Sequence, residues 1–305
     1  GTSSNGIFAY NTSAGTSLKI TAEDTTGTLG IYAINRGTGA LSITTTGTTK
    51  GTSSYGINAY NSTAGTSLTI TAEDTTGTQG IFAKNSGDGA LEITTTGTTT
   101  GSSSIGIYAI NSTAGTSLKI TAEDTTGTQG IKALNNGTGA LEITTTGTTT
   151  GTSSNGIFAY NTSAGTSLTI ATEDNTGTQG IYAINRGTGA LEITTTGTTT
   201  GSSSNGINAY NSSAGTSLKI TAEDTTGTQG IYARNNGTGA LEITTTGTTT
   251  GTSSNGIYAF MSNTASTGDL TINAANTEGG TNGIYAVNRG TGALNITTSG
   301  AITGG

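Results

Sequence analysis

The sequence predicts an all-β fold, a single-stranded parallel β-helix of about twelve coils of 23–27 residues. The first observation is that Gly-Ile-x-Ala recurs twelve times, from Gly6 to Gly283, at spacings that alternate between 24 and 26 residues except for the last, which is 27. The second is that apolar and variable residues alternate with period two, and many of them are β-branched. The third is that Gly-, Ser- and Thr-rich turns separate these stretches.

Each coil is expected to contain three short strands: Gly-Ile-x-Ala-x-Asn, then Ser-Leu-x-Ile-Thr, then a Thr-rich run. Ile7, Ala9 and Asn11 recur almost unchanged, whereas the positions between them accept lysine and arginine, which a thin core excludes. We therefore predict that the recurring residues point inward. Residues 1–305 are expected to form one continuous array of six double-coil units, the last of which, 251–305, diverges. Coils about 4.8 Å apart imply a rod of roughly 58 Å.

Composition excludes several classes of function. The net charge is −7 with few Lys and Arg residues, which argues against nucleic acid as a partner. Cys is absent, which excludes disulfides and thiolate metal sites. The sequence contains no run of 18 apolar residues, so no membrane span is predicted in this segment, and no signal peptide is recognisable. The pattern starts in mid-repeat, so we expect a piece of a longer array.

A column of asparagines closes the first strand of eleven of the twelve coils, and Met261 occupies the remaining position. Asn tolerates a left-handed backbone, and stacked amides form a hydrogen-bonded ladder, so a structural ladder is predicted. The alternative is glycosylation, because Asn11-Thr12-Ser13 and its copies match the acceptor pattern. The predicted ladder comprises Asn11, Asn35, Asn61, Asn85, Asn111, Asn135, Asn161, Asn185, Asn211, Asn235 and Asn288.

The stretch Gly-Ile-Tyr-Ala-Ile-Asn-Arg-Gly-Thr-Gly-Ala-Leu-Ser-Ile-Thr-Thr-Thr-Gly at 30–47 resembles repeats of bacterial autotransporter (type V secretion) passenger regions, and the repeats extend this resemblance over the chain. The resemblance implies a right-handed β-helix that is exported through the outer membrane and displayed on the bacterial cell surface. It also implies a role in adhesion, self-association or presentation of another domain. The family's membrane barrel is not in these residues, and nothing resembles a catalytic domain.

Acidic pairs at Glu23-Asp24 and its copies recur in every second coil, roughly 9.6 Å apart. A carboxylate column suits Ca²⁺, but the pairs lack the Gly-Gly-x-Gly-x-Asp pattern of calcium-binding β-rolls, so a solvated acidic stripe is the preferred interpretation. His and Cys are absent, and no unique acidic pair interrupts the repeat. We therefore expect no metal site, no cofactor and no enzymatic activity.

Threonine columns suggest ice binding as an alternative function. Thr21, Thr44, Thr71 and Thr94 are expected to stack on the outward face of the second strand. Two residues along, however, Glu and Thr alternate from Glu23 onward, and strongly hydrated carboxylates disrupt a surface that matches a water lattice. A pure structural spacer is the third possibility.

Fourteen of the fifteen aromatic residues occupy two outward positions of the first strand, and only Tyr55 falls elsewhere. Cross-strand stacking explains some of them, but an apolar stripe of this length suits a contact surface. We predict a non-enzymatic adhesive or self-associating stalk whose partners are a second rod, an end-to-end neighbour, or a surface glycan or protein. The predicted aromatic stripe comprises Phe8, Tyr10, Tyr32, Tyr60, Phe82, Tyr108, Phe158, Tyr160, Tyr182, Tyr210, Tyr232, Tyr258, Phe260 and Tyr285.

Charges on the second strand predict the register of the coils. Stacking places Lys119 between Glu92 and Glu142, and a slip of one coil places Glu beside Glu. The ends carry no recognisable cap, and an insertion near 263–268 marks the divergent last unit. We expect that region to approach a boundary of the array and the isolated chain to associate end to end.

Overall fold

A computed structural model describes residues 4–305, and all regular structure in this part of the chain is β-strand. The chain forms two compact units, Gly1–Thr150 and Gly151–Gly305. Each unit contains six turns, and each turn contributes one strand to each of three sheets, which we call sheet 1, sheet 2 and sheet 3 in the order in which the chain visits them.

In the first unit, every sheet takes one strand from each successive turn. The sheet 1 strands are Ile7–Asn11, Ile31–Asn35, Tyr55–Asn61, Gln79–Asn85, Ile107–Asn111 and Ile131–Asn135. The sheet 2 strands are Leu18–Ala22, Leu41–Thr45, Leu68–Ala72, Leu91–Thr95, Leu118–Ala122 and Leu141–Thr145. The sheet 3 strands are Thr25–Gly27, Thr49–Gly51, Thr75–Gly77, Thr99–Gly101, Thr125–Gly127 and Thr149–Gly151, the last of which crosses the unit boundary.

The second unit repeats this plan. Its sheet 1 strands are Ile157–Asn161, Ile181–Asn185, Ile207–Asn211, Ile231–Asn235, Ile257–Met261 and Ile284–Asn288. Its sheet 2 strands are Leu168–Thr172, Leu191–Thr195, Leu218–Ala222, Leu241–Thr245, Leu270–Ala274 and Leu294–Thr298. Its sheet 3 strands are Asn175–Gly177, Thr199–Gly201, Thr225–Gly227, Thr249–Gly251, Thr277–Gly279 and Ile302–Gly304.

Strands from successive turns pair in parallel, and equivalent residues of the repeat face each other, as in Ile57 with Ile81. The predicted fold class, an all-β parallel solenoid of about twelve turns, is confirmed. The predicted charge register is also confirmed, because Lys119 pairs with Glu92 on one side and Glu142 on the other. The Lys119 Nζ atom lies 3.4 Å from Glu142 Oε2.

The core of each unit is a thin stack of Ile, Ala and Leu side chains. Ile57, Ala59, Leu68 and Ile70 are 0% exposed, and their copies in neighbouring turns are equally buried. The intervening residues alternate outward, so the period-two pattern identified the inward face correctly. Burial of this kind stabilises a protein by roughly 25 cal/mol per Å² of apolar surface.

Sheet 3 is lined on the inside by threonine rather than by aliphatic residues. Thr75 is fully buried, and its hydroxyl has no hydrogen-bond partner among residues 4–305. A Cβ on Gly56 would lie 2.5 Å from the Thr75 Cγ2 methyl, so the glycine provides the space that this methyl occupies. Close packing of small residues therefore closes this corner of the turn.

Candidate functional site

The aromatic stripe lies on the outward face of sheet 1. Phe8 pairs with Tyr32 and Phe82 with Tyr108 along one column, and Tyr60 pairs with Ile34 along the other. Sheets 2 and 3 carry no aromatic residue in the part of the chain that the structure describes. The stacking of equivalent turns therefore collects the aromatic side chains on one of three faces.

Neighbouring rings of the stripe contact one another. Their centroids lie 5.4 Å apart in Phe8–Tyr32, Phe82–Tyr108 and Phe158–Tyr182. Tyr258 is stacked between Tyr232 at 4.9 Å and Tyr285 at 5.1 Å. Aromatic pairs in these geometries contribute about 0.5–1.5 kcal/mol beyond their buried area.

Exposure differs along the stripe because rings cover one another. Phe8 in the first turn is 59% exposed and Tyr285 in the last turn is 42% exposed. Rings in the interior turns, such as Tyr60 and Tyr108, are half-buried against their neighbours. The stripe is therefore an outward surface of ring edges and partly covered faces.

Basic residues lie over the rings, which the sequence analysis did not anticipate. One cation in each 50-residue repeat lies over an aromatic ring of the preceding turn, with centroid distances between 4.7 and 5.9 Å. The six pairs are Arg36 over Tyr10, Lys84 over Tyr60, Lys132 over Tyr108, Arg186 over Tyr160, Arg234 over Tyr210 and Arg289 over Phe260. Each contact contributes about 0.5–1 kcal/mol at an exposed site. We define these six residues as the cation ladder.

The cations appeared scattered in the sequence because they occupy three different positions relative to the strand. Counted from the recurring Ile of each sheet 1 strand, Lys132 is second, Lys84 and Arg234 are fourth, and Arg36 directly follows the strand. The signal that identifies them is their recurrence once per repeat and always in the second turn of the pair. The stripe is therefore cationic and aromatic rather than simply apolar.

Tyr55 belongs to the same surface, although the sequence placed it apart. Its ring centroid lies 5.9 Å from that of Phe82. Two-residue alternation assigns Tyr55 to the inward face with Ile57, but Gly56 is buried between them and interrupts the alternation. The additional pairing of Tyr55 with Gln79 also lengthens both sheet 1 strands of this pair.

The surroundings of Tyr258 in the stripe shift the pKa of its phenol. Burial raises the pKa of its phenol above 10.0, and the neighbouring Tyr232 and Tyr285 raise it further. Arg234 and Arg289 oppose this shift in pKa by stabilising the phenolate. The phenol therefore remains a neutral hydrogen-bonding group at physiological pH.

The asparagine ladder lies inside the corner between sheets 1 and 2. Asn61 Nδ2 donates to Asn85 Oδ1 at 2.9 Å, and Asn111 Nδ2 donates to Asn135 Oδ1 at 3.1 Å. The same amide groups also donate to backbone carbonyls, as Asn111 does to Ser117 O. Each side chain therefore joins two turns and closes its own turn.

The structure contradicts one part of the explanation expected for this column and argues against the alternative, glycosylation. No residue between 4 and 305 has a positive φ, so a left-handed backbone is not the reason for asparagine. Asn61 and Asn111 are 0% exposed, and their amides are already bonded, which excludes glycosylation of the folded chain at these sites. A Cβ at Gly115 would overlap the Asn111 amide, so the turn glycine makes room for the ladder. At Met261, which pairs with Asn235 and Asn288, the amide contacts are interrupted.

The acidic pairs have a structural role that separates their two members. Asp24 Oδ1 accepts a hydrogen bond from Thr48 N at 2.8 Å, and Asp124 Oδ1 accepts one from Thr148 N at 2.8 Å. Each Asp thus accepts a hydrogen bond from a backbone amide in the Thr-Gly-Thr segment of the next turn of the solenoid. That segment contains no acid of its own to bond this amide. The adjacent glutamates, such as Glu23, are exposed. Residues 4–305 contain no group of three or more acidic side chains that is arranged to hold a metal ion.

The threonine column on sheet 2 stacks as expected, with Thr71 opposite Thr94 and Thr94 opposite Thr121. Charged residues lie on both sides of it, Glu92 and Lys119 on one side and the exposed Glu73 on the other. The flat hydroxyl surface is therefore only one residue wide.

Comparison with family models, curated proteins and solved structures found no match to this chain. In the described range 4–305, no helix has the length and apolar character that crossing a membrane requires.

Proposed function

We propose that this chain is a non-enzymatic stalk segment of a bacterial cell-surface rod, an adhesive or self-associating passenger that is exported through the outer membrane. The observation that supports this proposal is the collection of all described aromatic residues on sheet 1, one of three outward faces. Packing alone does not require this restriction, because sheets 2 and 3 are equally regular without aromatic residues. Aromatic residues with polar tips favour contact surfaces, since they supply large rigid areas at low entropic cost.

The proposal is tested by removing the centre of the stripe without touching the core. We expect the variant with Tyr60, Phe82, Tyr108 and Tyr160 replaced by Ser to keep its β-sheet circular dichroism, because these side chains point outward. Self-association in sedimentation velocity and clumping of latex beads coated with the chain should both fall. The matched control replaces Thr71, Thr94, Thr121 and Thr194 by Ser on sheet 2.

Other outcomes of this experiment would identify the two alternative functions, a structural spacer or ice binding. Association and clumping that equal those of the wild type and the sheet 2 control would refute the proposal and leave a structural spacer. Thermal hysteresis in the wild type that is lost in the sheet 2 control would instead identify ice binding through the threonine column.

A further inference from the structure

The charges of the molecule are segregated between different surfaces. Sheet 1 carries the cation ladder on its outward side, and none of its strands contains an acidic residue. Asp88 in the first unit and Asp269 in the second are the only acids in the segments that link the described sheet 1 strands to the sheet 2 strands that follow them. Within residues 4–305 the one ion pair, Lys119 with Glu142, lies on sheet 2. Among residues 4–305, the ladder cations therefore have rings beneath them and form no ion pair with a carboxylate.

The exposed glutamates form a second ladder, at the corner between sheets 2 and 3. We define it as the glutamate ladder: Glu23, Glu73 and Glu123 in the first unit, and Glu173 and Glu223 in the second. Each turn runs from sheet 1 to sheet 2 to sheet 3, so sheet 1 borders the other two corners of the turn but not this one. The two ladders therefore belong to separate surfaces of each unit.

Both ladders have the same spacing. Glu23 and Glu73 are two turns apart, as are Arg36 and Lys84. Because neighbouring strands lie about 4.8 Å apart, each ladder places one charge about every 9.6 Å. Counted from the recurring Ile of sheet 1, five of the six cations lie at the fourth position or two residues beyond it. Long side chains can span this difference in position.

We infer that the cation ladder of one copy binds the glutamate ladder of a second copy, side by side. Once the first pair is aligned, equal spacing lets all three cations of the first unit, and two of the three in the second, meet a glutamate of the equivalent unit in the other copy. The rings beneath the cations hold the basic groups outward and contribute apolar contact area, which rests on the proposed role of the stripe. Opposite charge at matched intervals selects both the partner and its register along the axis.

The contact is heterologous, since the two ladders occupy different surfaces. A bound copy still presents a free cation ladder and a free glutamate ladder, so further copies add laterally. The expected product is an open lateral array of parallel or antiparallel solenoids, whose size grows with concentration.

Neutral variants of the full-length chain test the inference. The cation variant replaces Arg36, Lys84, Lys132, Arg186, Arg234 and Arg289 by Gln, and the glutamate variant replaces Glu23, Glu73, Glu123, Glu173 and Glu223 by Gln. Each should raise the concentration at half-association at least about tenfold, because several exposed ion pairs are lost together. The matched control replaces the sheet 2 residues Glu92, Glu142, Glu192 and Glu242 by Gln and should associate like the wild type.

Charge reversal provides a gain-of-function test. Neither a variant with the six cations replaced by Glu nor a variant with the five glutamates replaced by Lys should associate alone. An equimolar mixture of the two should associate, because opposite charges again face each other. Wild-type association should also weaken about tenfold when the salt concentration rises from about 20 mM to about 500 mM, which tests the idea even if a variant fails to fold.

The results distinguish this inference from the proposed function. One decisive result is that the variant with Tyr60, Phe82, Tyr108 and Tyr160 replaced by Ser no longer associates, while the cation variant and the glutamate variant both associate as strongly as the wild type. This result would overturn the ladder pairing and leave the stripe as the contact surface. Normal association of the cation variant with lost retention on a heparin column would also overturn it, in favour of an acidic polysaccharide. A wild-type chain that stays monomeric and does not clump beads would overturn the proposed function as well.

Discussion

Replacement of Asn111 by Asp tests the asparagine ladder with almost no change of shape. Asn111 Nδ2 donates to Asn135 Oδ1 and to Ser117 O, both at 3.1 Å, and its Oδ1 atom accepts from Asn85 Nδ2 at 3.3 Å. A carboxylate oxygen in place of the amide nitrogen removes both donated bonds and sets oxygen against oxygen. The substitution therefore isolates the hydrogen bonds from any cavity effect.

The magnitude follows from burial, since Asn111 is 0% exposed. Two lost hydrogen bonds cost about 1 kcal/mol each, whereas Asn135 Oδ1 and Ser117 O still accept hydrogen bonds from Gly137 N and Leu91 N. Burial of the unpaired carboxylate adds a desolvation cost, so the loss of unfolding free energy at neutral pH is expected to be at least about 2 kcal/mol. Protonation restores a donor, so the folded state should raise the pKa of the new carboxyl above its ordinary value.

The sign of the pH dependence follows from this raised pKa. A carboxyl group whose pKa is higher in the folded state binds protons more tightly there, so the stability of Asn111→Asp is greatest at low pH. Stability should fall as pH rises above about 4, by up to about 1.4 kcal/mol per unit, until the folded-state pKa is passed. Urea unfolding followed by circular dichroism at several pH values measures this dependence. The control is Asn58→Asp, which introduces the same charge at an outward position of the same sheet.

Identical midpoints for Asn111→Asp and Asn58→Asp across this pH range would refute the reasoning. Such a result would mean that the ladder bonds contribute nothing measurable and that packing alone closes the corner.

Two further predictions concern single side chains. Asp124→Ala should accelerate hydrogen exchange of the Thr148 amide and cost about 0.5–1.5 kcal/mol of local stability, because it removes the 2.8 Å bond to that amide, whereas Glu123→Ala should leave the amide protected. Tyr258 should ionise above pH 10.0 in an ultraviolet titration, because burial and its ring neighbours raise its pKa. Its contribution to stability is complete below about pH 10 and is lost as pH rises through the folded-state pKa. Tyr258→Phe should remove the late-ionising component, and an unchanged titration curve would contradict the assignment.

Much of the fold was predictable because a solenoid repeats one local pattern. Period-two alternation identified Ile57 and Ala59 as inward and the aromatic positions as outward. Inward positions of a thin core accept few residue types and therefore recur almost unchanged, whereas outward positions vary. The register followed from the same regularity, and the pairing of Lys119 with Glu92 and Glu142 confirms it. The stripe was likewise recognisable from the restriction of aromatic residues to two columns.

Other features depended on contacts between turns, which linear spacing does not encode. Tyr55 joins Phe82 only because Gly56 interrupts the alternation. The asparagine column was expected partly for its tolerance of a left-handed backbone, yet it serves through amide bonds in an ordinary strand conformation.

By itself, the sequence determined the repeat, the strand faces, the parallel register and the location of the aromatic residues, because a period imposes the same environment on every copy. Only the tertiary structure decided which side chains of successive turns meet. Cations that stand at different strand positions converge on rings in the neighbouring turn, because long flexible side chains compensate for differences of several ångströms. Asp24 similarly meets the Thr48 amide 24 residues away, a partner that appears only when one turn lies on the next.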